Sequence, residues 1–222
     1  MNRGPLPCGQ AAYSVREQHL TALRGAGLQP ILVPGCDELE LDSLLADCQA
    51  VYLPGGDYVP ERRDQSASES AAGAERIGLS WDRTKVEADL HLLRRAWEAQ
   101  IPTLAICGGF QAMVLHSGGE LRPCTTKELE LHADQPEAEA IAMDSKALVR
   151  RLLGKSLAIN SFHRQTVRRV GANLVASASS PDGLAEAVEA HSSSHRFWLG
   201  FQWHPELLGS SRPYEALRAA AN

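Results

Sequence analysis

The stretch AICGGFQAM, residues 105–113, places a cysteine directly after an apolar run and directly before two glycines. The run TLAIC predicts a buried strand and the residues from Gln111 to His116 predict a helix, so Cys107 falls at a sharp strand-to-helix turn. Unpaired N–H groups at the start of a helix favour a thiolate over a thiol. A buried cysteine that packs like alanine explains the motif about equally well. We call this turn at Cys107 the elbow. It indicates a nucleophile only if the sequence also supplies a base elsewhere.

Strands and helices alternate on the N-terminal side of this turn. The predicted elements are a helix ending at Gly25 and Gly27, a strand at ILVP (31–34), a helix over 39–45, a strand in AVYLPGG (50–56) and an amphipathic helix from about Asp82 to Ala99. The polar segment 64–75 is predicted to be a mobile surface loop. This alternation predicts a parallel sheet with helices on both faces.

The second half of the chain favours β structure. Short apolar or alternating runs are broken there by Pro, Gly, Asn and Asp: ELRP, ELELH, SLAINSF, NLVASAS, GLAEAVEA and FWLGFQW, with PYEALRAA as a closing helix. Neither an internal repeat nor a linker divides the chain, so we expect one domain over residues 1–222.

Composition narrows the class of protein. The 222 residues carry a formal charge of −5 and scattered basic pairs, which argues against nucleic-acid and membrane partners. The start has no apolar core of a signal peptide, so we expect a cytoplasmic protein. The five cysteines show neither disulfide nor zinc spacing. They are predicted to be free thiols (Cys8, Cys36, Cys48, Cys107 and Cys124), and no metal or cofactor is predicted.

A candidate base appears near the end of the chain, in FQWHPE (201–206). His204 and Glu206 are two residues apart, and on a strand such positions face the same side, so the carboxylate can reach the imidazole and fix its tautomer. Alone, HPE could be a turn with a capping role. Together with the elbow, it supplies a base and a residue that orients it.

These motifs resemble the class I glutamine amidotransferase superfamily, in which a CxGxQ elbow is combined with a late HPE. The likeness is greatest to the γ-glutamyl-γ-aminobutyrate hydrolase-like (peptidase C26) group, because further stretches fit in order. They are VYLPGGDYVP (51–60), INSFHRQTV (159–167) and SPDGLAEAVE (180–189).

The resemblance implies a flavodoxin-like, three-layer α/β fold: a mostly parallel central sheet with helices on both faces and a smaller β-rich portion in the second half. It implies a cysteine hydrolase in which Cys107 attacks a γ-glutamyl amide and forms a γ-glutamyl thioester, while His204 transfers protons and Glu206 orients it. Further implied roles are oxyanion donors at Gly56 and Gly108, support of the elbow or of the substrate by Gln111, and a pocket position for His163, which could equally be a core or loop histidine.

Three features depart from that group. The opening MNRGPLPCGQ is a poor strand, the GG and D of GGDYVP are adjacent, and Gly108 stands where arginine commonly follows the nucleophile. The substrate is expected to be a small γ-glutamyl compound, with specificity set near Tyr58, His163 and residues 121–132. A glutaminase subunit that passes ammonia to a synthase is the alternative function, and a homodimer or a synthase partner stays open. An intact set of Cys107, His204 and Glu206 argues against a non-enzymatic member.

Overall fold

A computed structural model describes residues 2–5, 11–33, 38–56, 59–144, 146–191 and 194–222. Cys8, Cys36 and Tyr58, named above, lie outside the described residues. The described helices are α1 (Glu17–Gly25), α2 (Glu38–Asp47), α3 (Ala67–Arg76), α4 (Arg83–Glu98), α5 (Gly108–His116), α6 (Thr126–His132), α7 (Leu148–Leu153) and α8 (Arg212–Ala221). The described strands are β1 (Asn2–Pro5), β2 (Ala11–Ser14), β3 (Val51–Leu53), β4 (Thr103–Ile106), β5 (Glu120–Pro123), β6 (Gln135–Ala142), β7 (Ser156–Ser161), β8 (Gln165–Arg169), β9 (Leu174–Ser179), β10 (Ala185–Ala190) and β11 (Trp198–Phe201).

Seven strands form the central sheet, in the order β3-β4-β11-β10-β9-β6-β7. The pairings β3 with β4 and β4 with β11 are parallel, and β11 continues through antiparallel pairings to β7. The predicted α/β class is confirmed, and the parallel part is the part that carries the elbow. The β-rich second half mostly extends the same sheet, while β5 and β8 pair separately.

Strand β4 shows why helices cover both faces. Its successive side chains point to opposite sides. Leu104 and Ile106 pack in one core cluster with residues of α1, α7 and α8, whereas Ala105 packs in the other with residues of α2, α4 and α5. All four residues of β4 are buried, so each face excludes water, and the predicted three layers follow.

Two sequence predictions of local structure are wrong. Residues 64–75 are not a loop, because α3 begins there with a capping box in which Ser66 and Glu69 satisfy each other's backbone N–H groups. The run ELELH is not a strand but the second part of α6, which has the same capping box at Thr125 and Glu128. In residues 64–75 the capping box produces a helix although the polar composition predicted a loop. In ELELH it produces a helix although the alternation predicted a strand.

The strand predicted at ILVP is also wrong over its described residues, 31–33, which have no regular structure. Ile31 and Leu32 are 63% and 49% exposed. Prolines at 30 and 34 bound this run and cannot donate to a ladder. The opening of the chain pairs as β1 with β2, apart from the central sheet, and β3 is therefore the last described strand at that edge.

None of the described helices combines the length and the apolar character that crossing a bilayer requires.

Candidate active site

Cys107 occupies the turn between β4 and α5 in an unusual backbone conformation. Its φ of 49° and ψ of −106° lie outside the regions that side chains favour. Such a conformation costs about 1–3 kcal/mol and persists only where its surroundings hold it. Here the N–H of Cys107 donates to the carbonyl of Phe201, at 2.7 Å, and Gln111 N–H donates to the carbonyl of Cys107. The predicted elbow is present.

The glycines after Cys107 allow the turn that follows β3 to pack against the elbow. A Cβ at Gly108 would lie 2.9 Å from the backbone nitrogen of Gly56, and a Cβ at Gly109 would lie 2.6 Å from the carbonyl oxygen of Leu53. Neither approach leaves room for a side chain. The structure thus brings together the backbones of Gly56 and Gly108, the two residues predicted to bind an oxyanion.

Gly55 lies over the thiol and the imidazole. A Cβ there would be 2.9 Å from Cε1 of His204 and 3.3 Å from Cβ of Cys107. No role for Gly55 was predicted from the sequence. The structure shows why glycine is needed here: a side chain at residue 55 would prevent the imidazole of His204 from approaching Cys107.

His204 and Glu206 contact each other as predicted, but not on a strand. Strand β11 ends at Phe201, and Glu206 lies in a short 3₁₀ turn, Pro205–Leu207, directly after His204. Within that turn Nδ1 of His204 donates to Oε1 of Glu206 at 2.6 Å. Both residues are buried. The expected contact is therefore made by a different local structure.

The side chain of His204 lies beside that of Cys107, since both face Gly55, and it contacts Glu206 through Nδ1. Burial alone would lower the pKa of His204, but the negative charge of Cys107 and the hydrogen bonds to Cys107 and Glu206 raise it well above its ordinary value of 6.5. Burial would raise the pKa of Glu206, and the hydrogen bond and charge of His204 lower it instead. These shifts favour an imidazolium beside a carboxylate.

Asn160, in β7, fixes the backbone of His204. Its Oδ1 accepts from the N–H of His204 at 2.8 Å, and its Nδ2 donates to the carbonyl of His204 at 3.0 Å. Both backbone groups are thereby satisfied in a buried place. The residue belongs to the segment INSFHRQTV, which carries part of the family resemblance, but no role was predicted for it.

Gln111 is buried behind the elbow. Its Nε2 donates to Oε1 of Gln202 and to the carbonyl of Gln165, and Nε2 of Gln202 lies 3.8 Å from the sulfur of Cys107. Gln111 was predicted to support either the elbow or the substrate. These contacts are the ones expected if it supports the elbow.

A second histidine stands behind Glu206. Nδ1 of His19, in α1, is 2.7 Å from the hydroxyl of Tyr52 and 3.5 Å from Oε1 of Glu206. Burial lowers the pKa of His19, so a neutral ring is favoured. The rings of Tyr52 and Tyr214 lie 6.0 Å apart, and burial and the Glu206 charge raise the pKa of both phenols. The sequence did not predict that His19, Tyr52 and Tyr214 lie close to Glu206, because these residues come from three distant segments of the chain.

His163 lies in a buried group with His132 and Glu186 rather than on the thiol. Its Nε2 is 3.5 Å from Oε1 of Glu186, and its ring centroid is 5.0 Å from that of His132. With 3% of its surface exposed, it fits the alternative of a core histidine, and contact with substrate stays a prediction.

The chain is similar in sequence to known hydrolases. The model of the peptidase C26 family matches residues 7–206. A γ-glutamyl-γ-aminobutyrate hydrolase of Escherichia coli O157:H7 is 33% identical over 215 residues, covering 89% of this chain and 80% of that protein.

Solved structures show the same fold at low identity. The glutaminase domain of Trypanosoma brucei CTPS with bound acivicin superposes with a TM-score of 0.68 at 16% identity, over 92% of this chain and 87% of that one. A glutamine amidotransferase from Methylobacillus flagellatus has a TM-score of 0.57 at 19% identity, over 85% of this chain and 64% of that one.

Proposed function

The chain belongs to the peptidase C26 family, and from this premise we propose that it cleaves a γ-glutamyl amide through a γ-glutamyl thioester, releasing glutamate and an amine. The observation that carries the proposal is the backbone of Cys107, held in a strained conformation where its sulfur meets an imidazole bound to a buried carboxylate. A cysteine that only filled space would need neither the strain nor the pair of polar partners.

In the first half of the reaction, the sulfur of Cys107 attacks the amide carbon and a tetrahedral oxyanion forms. His204, protonated at neutral pH because its pKa is raised, gives its proton to the leaving nitrogen. The carbon–nitrogen bond breaks, the amine departs and the glutamyl group stays on sulfur as a thioester. In this proposal the sulfur attacks as a thiolate paired with the His204 imidazolium, so no separate deprotonation step is needed.

In the second half, the neutral imidazole takes a proton from water, whose oxygen attacks the thioester carbon. The carbon–sulfur bond breaks, glutamate leaves and the thiolate–imidazolium pair is restored. Glu206 holds the Nδ1–H tautomer throughout, since its oxygen accepts that hydrogen at 2.6 Å.

The backbone N–H groups of Gly56 and Gly108 are the proposed oxyanion donors. Their support is the close packing of the two glycine backbones beside Cys107, and the place of Gly108 in the first turn of α5, where N–H groups have no partner within the helix. A donor of this kind contributes about 3–4 kcal/mol in the transition state.

The test is release of glutamate by the purified chain alone, from glutamine and from a panel of γ-glutamyl amines. We expect release from at least one γ-glutamyl amine, and loss of that release in Cys107→Ala. Cys124→Ala, which removes a thiol of nearly equal burial, is the matched control and should retain activity.

Two outcomes contradict the proposal. Release from glutamine only when a synthase is added would favour the glutaminase subunit instead. Full activity of Cys107→Ala would remove the nucleophile altogether.

A further inference from the structure

Three buried side chains converge behind the elbow without being part of the proposed reaction. They are His132 at the end of α6, His163 after β7 and Glu186 in β10, with 4%, 3% and 0% of their surfaces exposed. Their nearest nitrogen and oxygen atoms all lie within 4.8 Å of one another. They come from separate parts of the chain, which explains why no short metal-binding motif appears in the sequence.

The outer nitrogen of each histidine is hydrogen-bonded to an oxygen. Nε2 of His132 is 3.1 Å from Oδ2 of Asp182, and Nδ1 of His163 is 3.0 Å from the carbonyl oxygen of Gln165. Because those oxygens only accept, each of these outer nitrogens carries a hydrogen. The inner nitrogens, Nδ1 of His132 and Nε2 of His163, are left to act as metal ligands, and both face Oε1 of Glu186, at 3.7 and 3.5 Å.

Glu186 is the group whose burial most needs an explanation. Neither of its oxygens has a hydrogen-bond partner within the described part of the chain, and Nε2 of His163 has none either. A buried carboxylate without hydrogen bonds is costly to keep charged. The carboxylate oxygen of Glu186 and the two histidine nitrogens that face it form a set of three possible ligands for a cation.

We propose that His132, His163 and Glu186 bind a divalent transition metal ion, zinc by preference, at a site distinct from Cys107. Zinc takes two imidazoles and a carboxylate readily, at about 2.0–2.2 Å, which places tetrahedral ligands roughly 3.3–3.5 Å apart. The two histidine-to-glutamate separations, 3.5 and 3.7 Å, are close to this spacing. All three ligand atoms lie within 4.8 Å of one another, so the histidine side chains would close around the ion on binding. Imidazole ligands argue against magnesium and calcium, which prefer oxygen.

Two neighbours complete the site chemically. Asp182 accepts from the outer nitrogen of His132, the arrangement that orients metal-binding histidines in zinc proteins. The hydroxyl of Ser161 lies 2.9 Å from the inner nitrogen of His132, so it must rotate away or become a fourth ligand. The sulfur of Cys124 is 3.9 Å from the outer nitrogen of His163 and is not in a ligand position.

The bound ion would stabilise the elbow through Gln202. The carbonyl of Glu186 accepts from the backbone N–H of Gln202 at 2.8 Å, and the side chain of Gln202 reaches the sulfur of Cys107. Since the three ligands are closed to solvent, the ion joins α6, β7 and β10 as a structural link and takes no part in acyl transfer.

The experiment is equilibrium dialysis of the full chain against Zn²⁺, after treatment with a chelator, in a Cys107→Ser background that removes the competing thiolate. We expect one saturable zinc equivalent per chain, lost in Glu186→Gln. Asp182→Asn should bind roughly 10–100-fold more weakly. His191→Gln, which removes an exposed histidine, is the matched control and should bind like the parent.

A spectrum with Co²⁺ keeps the proposal testable if Glu186→Gln does not fold. Nitrogen and oxygen ligands should give a visible spectrum without a thiolate charge-transfer band, and the band intensity should fall in Asp182→Asn. No binding by the parent, binding that survives Glu186→Gln, or a thiolate band would each overturn the site. The last two would place the ion elsewhere, and the first would leave a buried proton in its place.

Discussion

Cys107 and Cys124 are almost equally buried, at 8% and 7% exposure, so access alone cannot separate their reactivities. Their surroundings differ. Burial, with the nearby charge of Glu128, raises the pKa of Cys124 to about 12, whereas Cys107 lies beside the imidazole of His204. Burial also raises the pKa of Cys48. Because the thiolate is the reactive form, the three thiols should alkylate at different rates.

We therefore predict that a glutamine-like chloroketone or diazo reagent, or limiting iodoacetamide at neutral pH, labels Cys107 before Cys48 and Cys124. Peptide mass mapping over time gives the order. Glu206→Gln lowers the pKa of His204 and so makes its imidazolium form less stable. It should slow labelling at Cys107 and leave the other two rates unchanged. Equal rates at all three thiols would argue against a thiolate at the elbow.

Cys107 and the carboxylate of Glu206 together raise the pKa of His204, and the part due to Glu206 leads to a prediction on pH. Since Glu206 helps to raise the pKa of His204, the neutral Glu206→Gln lowers that pKa, and the imidazolium is lost at a lower pH. We expect the alkaline limb of kcat/KM for glutamate release to move to lower pH, and kcat/KM at the optimum to fall roughly 10²–10⁴-fold.

Glu215→Gln is the control for that profile, because it removes an exposed carboxylate on α8. It should leave the pH dependence unchanged. An alkaline limb that stays in place in Glu206→Gln would mean that Glu206 does not govern the charge of His204.

At the scale of elements, sequence predicted α1, α2, α4, α5 and α8, and missed the short α7 and the two helices defined by their caps, α3 and α6. Val86 and Leu93 mark α4, and Asp82 caps it by accepting from Thr84 N–H. In contrast, α3 and α6 have few buried apolar side chains. Their signal was S/T-x-x-E at Ser66 and Thr125, which is local chemistry rather than periodicity. Alternation in ELELH imitates a strand when the cap before it is overlooked.

The cap of α6 gives a prediction on stability. Thr125 accepts from Glu128 N–H while Glu128 accepts from Thr125 N–H, and Glu128 also pairs with Arg122. Thr125→Ala should lower the free energy of unfolding by about 1 kcal/mol. Thr126→Ala, one residue later and also exposed, changes the same side chain without a cap and should be neutral or slightly stabilising. Urea denaturation of both variants measures the difference, and equal midpoints would contradict the cap.

At the scale of the molecule, the elbow could be predicted but the means of bringing His204 to it could not. The alternation of strands and helices already places Cys107 at the edge of a parallel sheet. The path of the second half depends on pairings among distant strands, which no local pattern encodes. Strand β7 is the last strand of the sheet, four positions from β11 in the strand order. The strand nevertheless supplies Asn160 to His204, which lies shortly after the end of β11, so the sheet curls back on itself.

Because of this curl, Asn160 links the packing of the last strand of the sheet to the position of His204 in the candidate site. Asn160→Ala leaves the N–H and the carbonyl of His204 buried without the partners they now have at 2.8 and 3.0 Å. Each unsatisfied group costs about 1–3 kcal/mol, so we expect a lower free energy of unfolding in urea. A displaced imidazole should also lower kcat by about 10²-fold.

Asn173→Ala, at an exposed turn before β9, is the matched control and should leave both quantities near those of the parent. The two measurements separate the effects of Asn160→Ala, because a merely structural residue would lower stability while the kcat of the folded fraction stayed unchanged. If kcat per folded molecule is retained, the curl of the sheet holds β7 in place but does not position His204, and the link between the far edge of the sheet and the thiol would have to run through another contact.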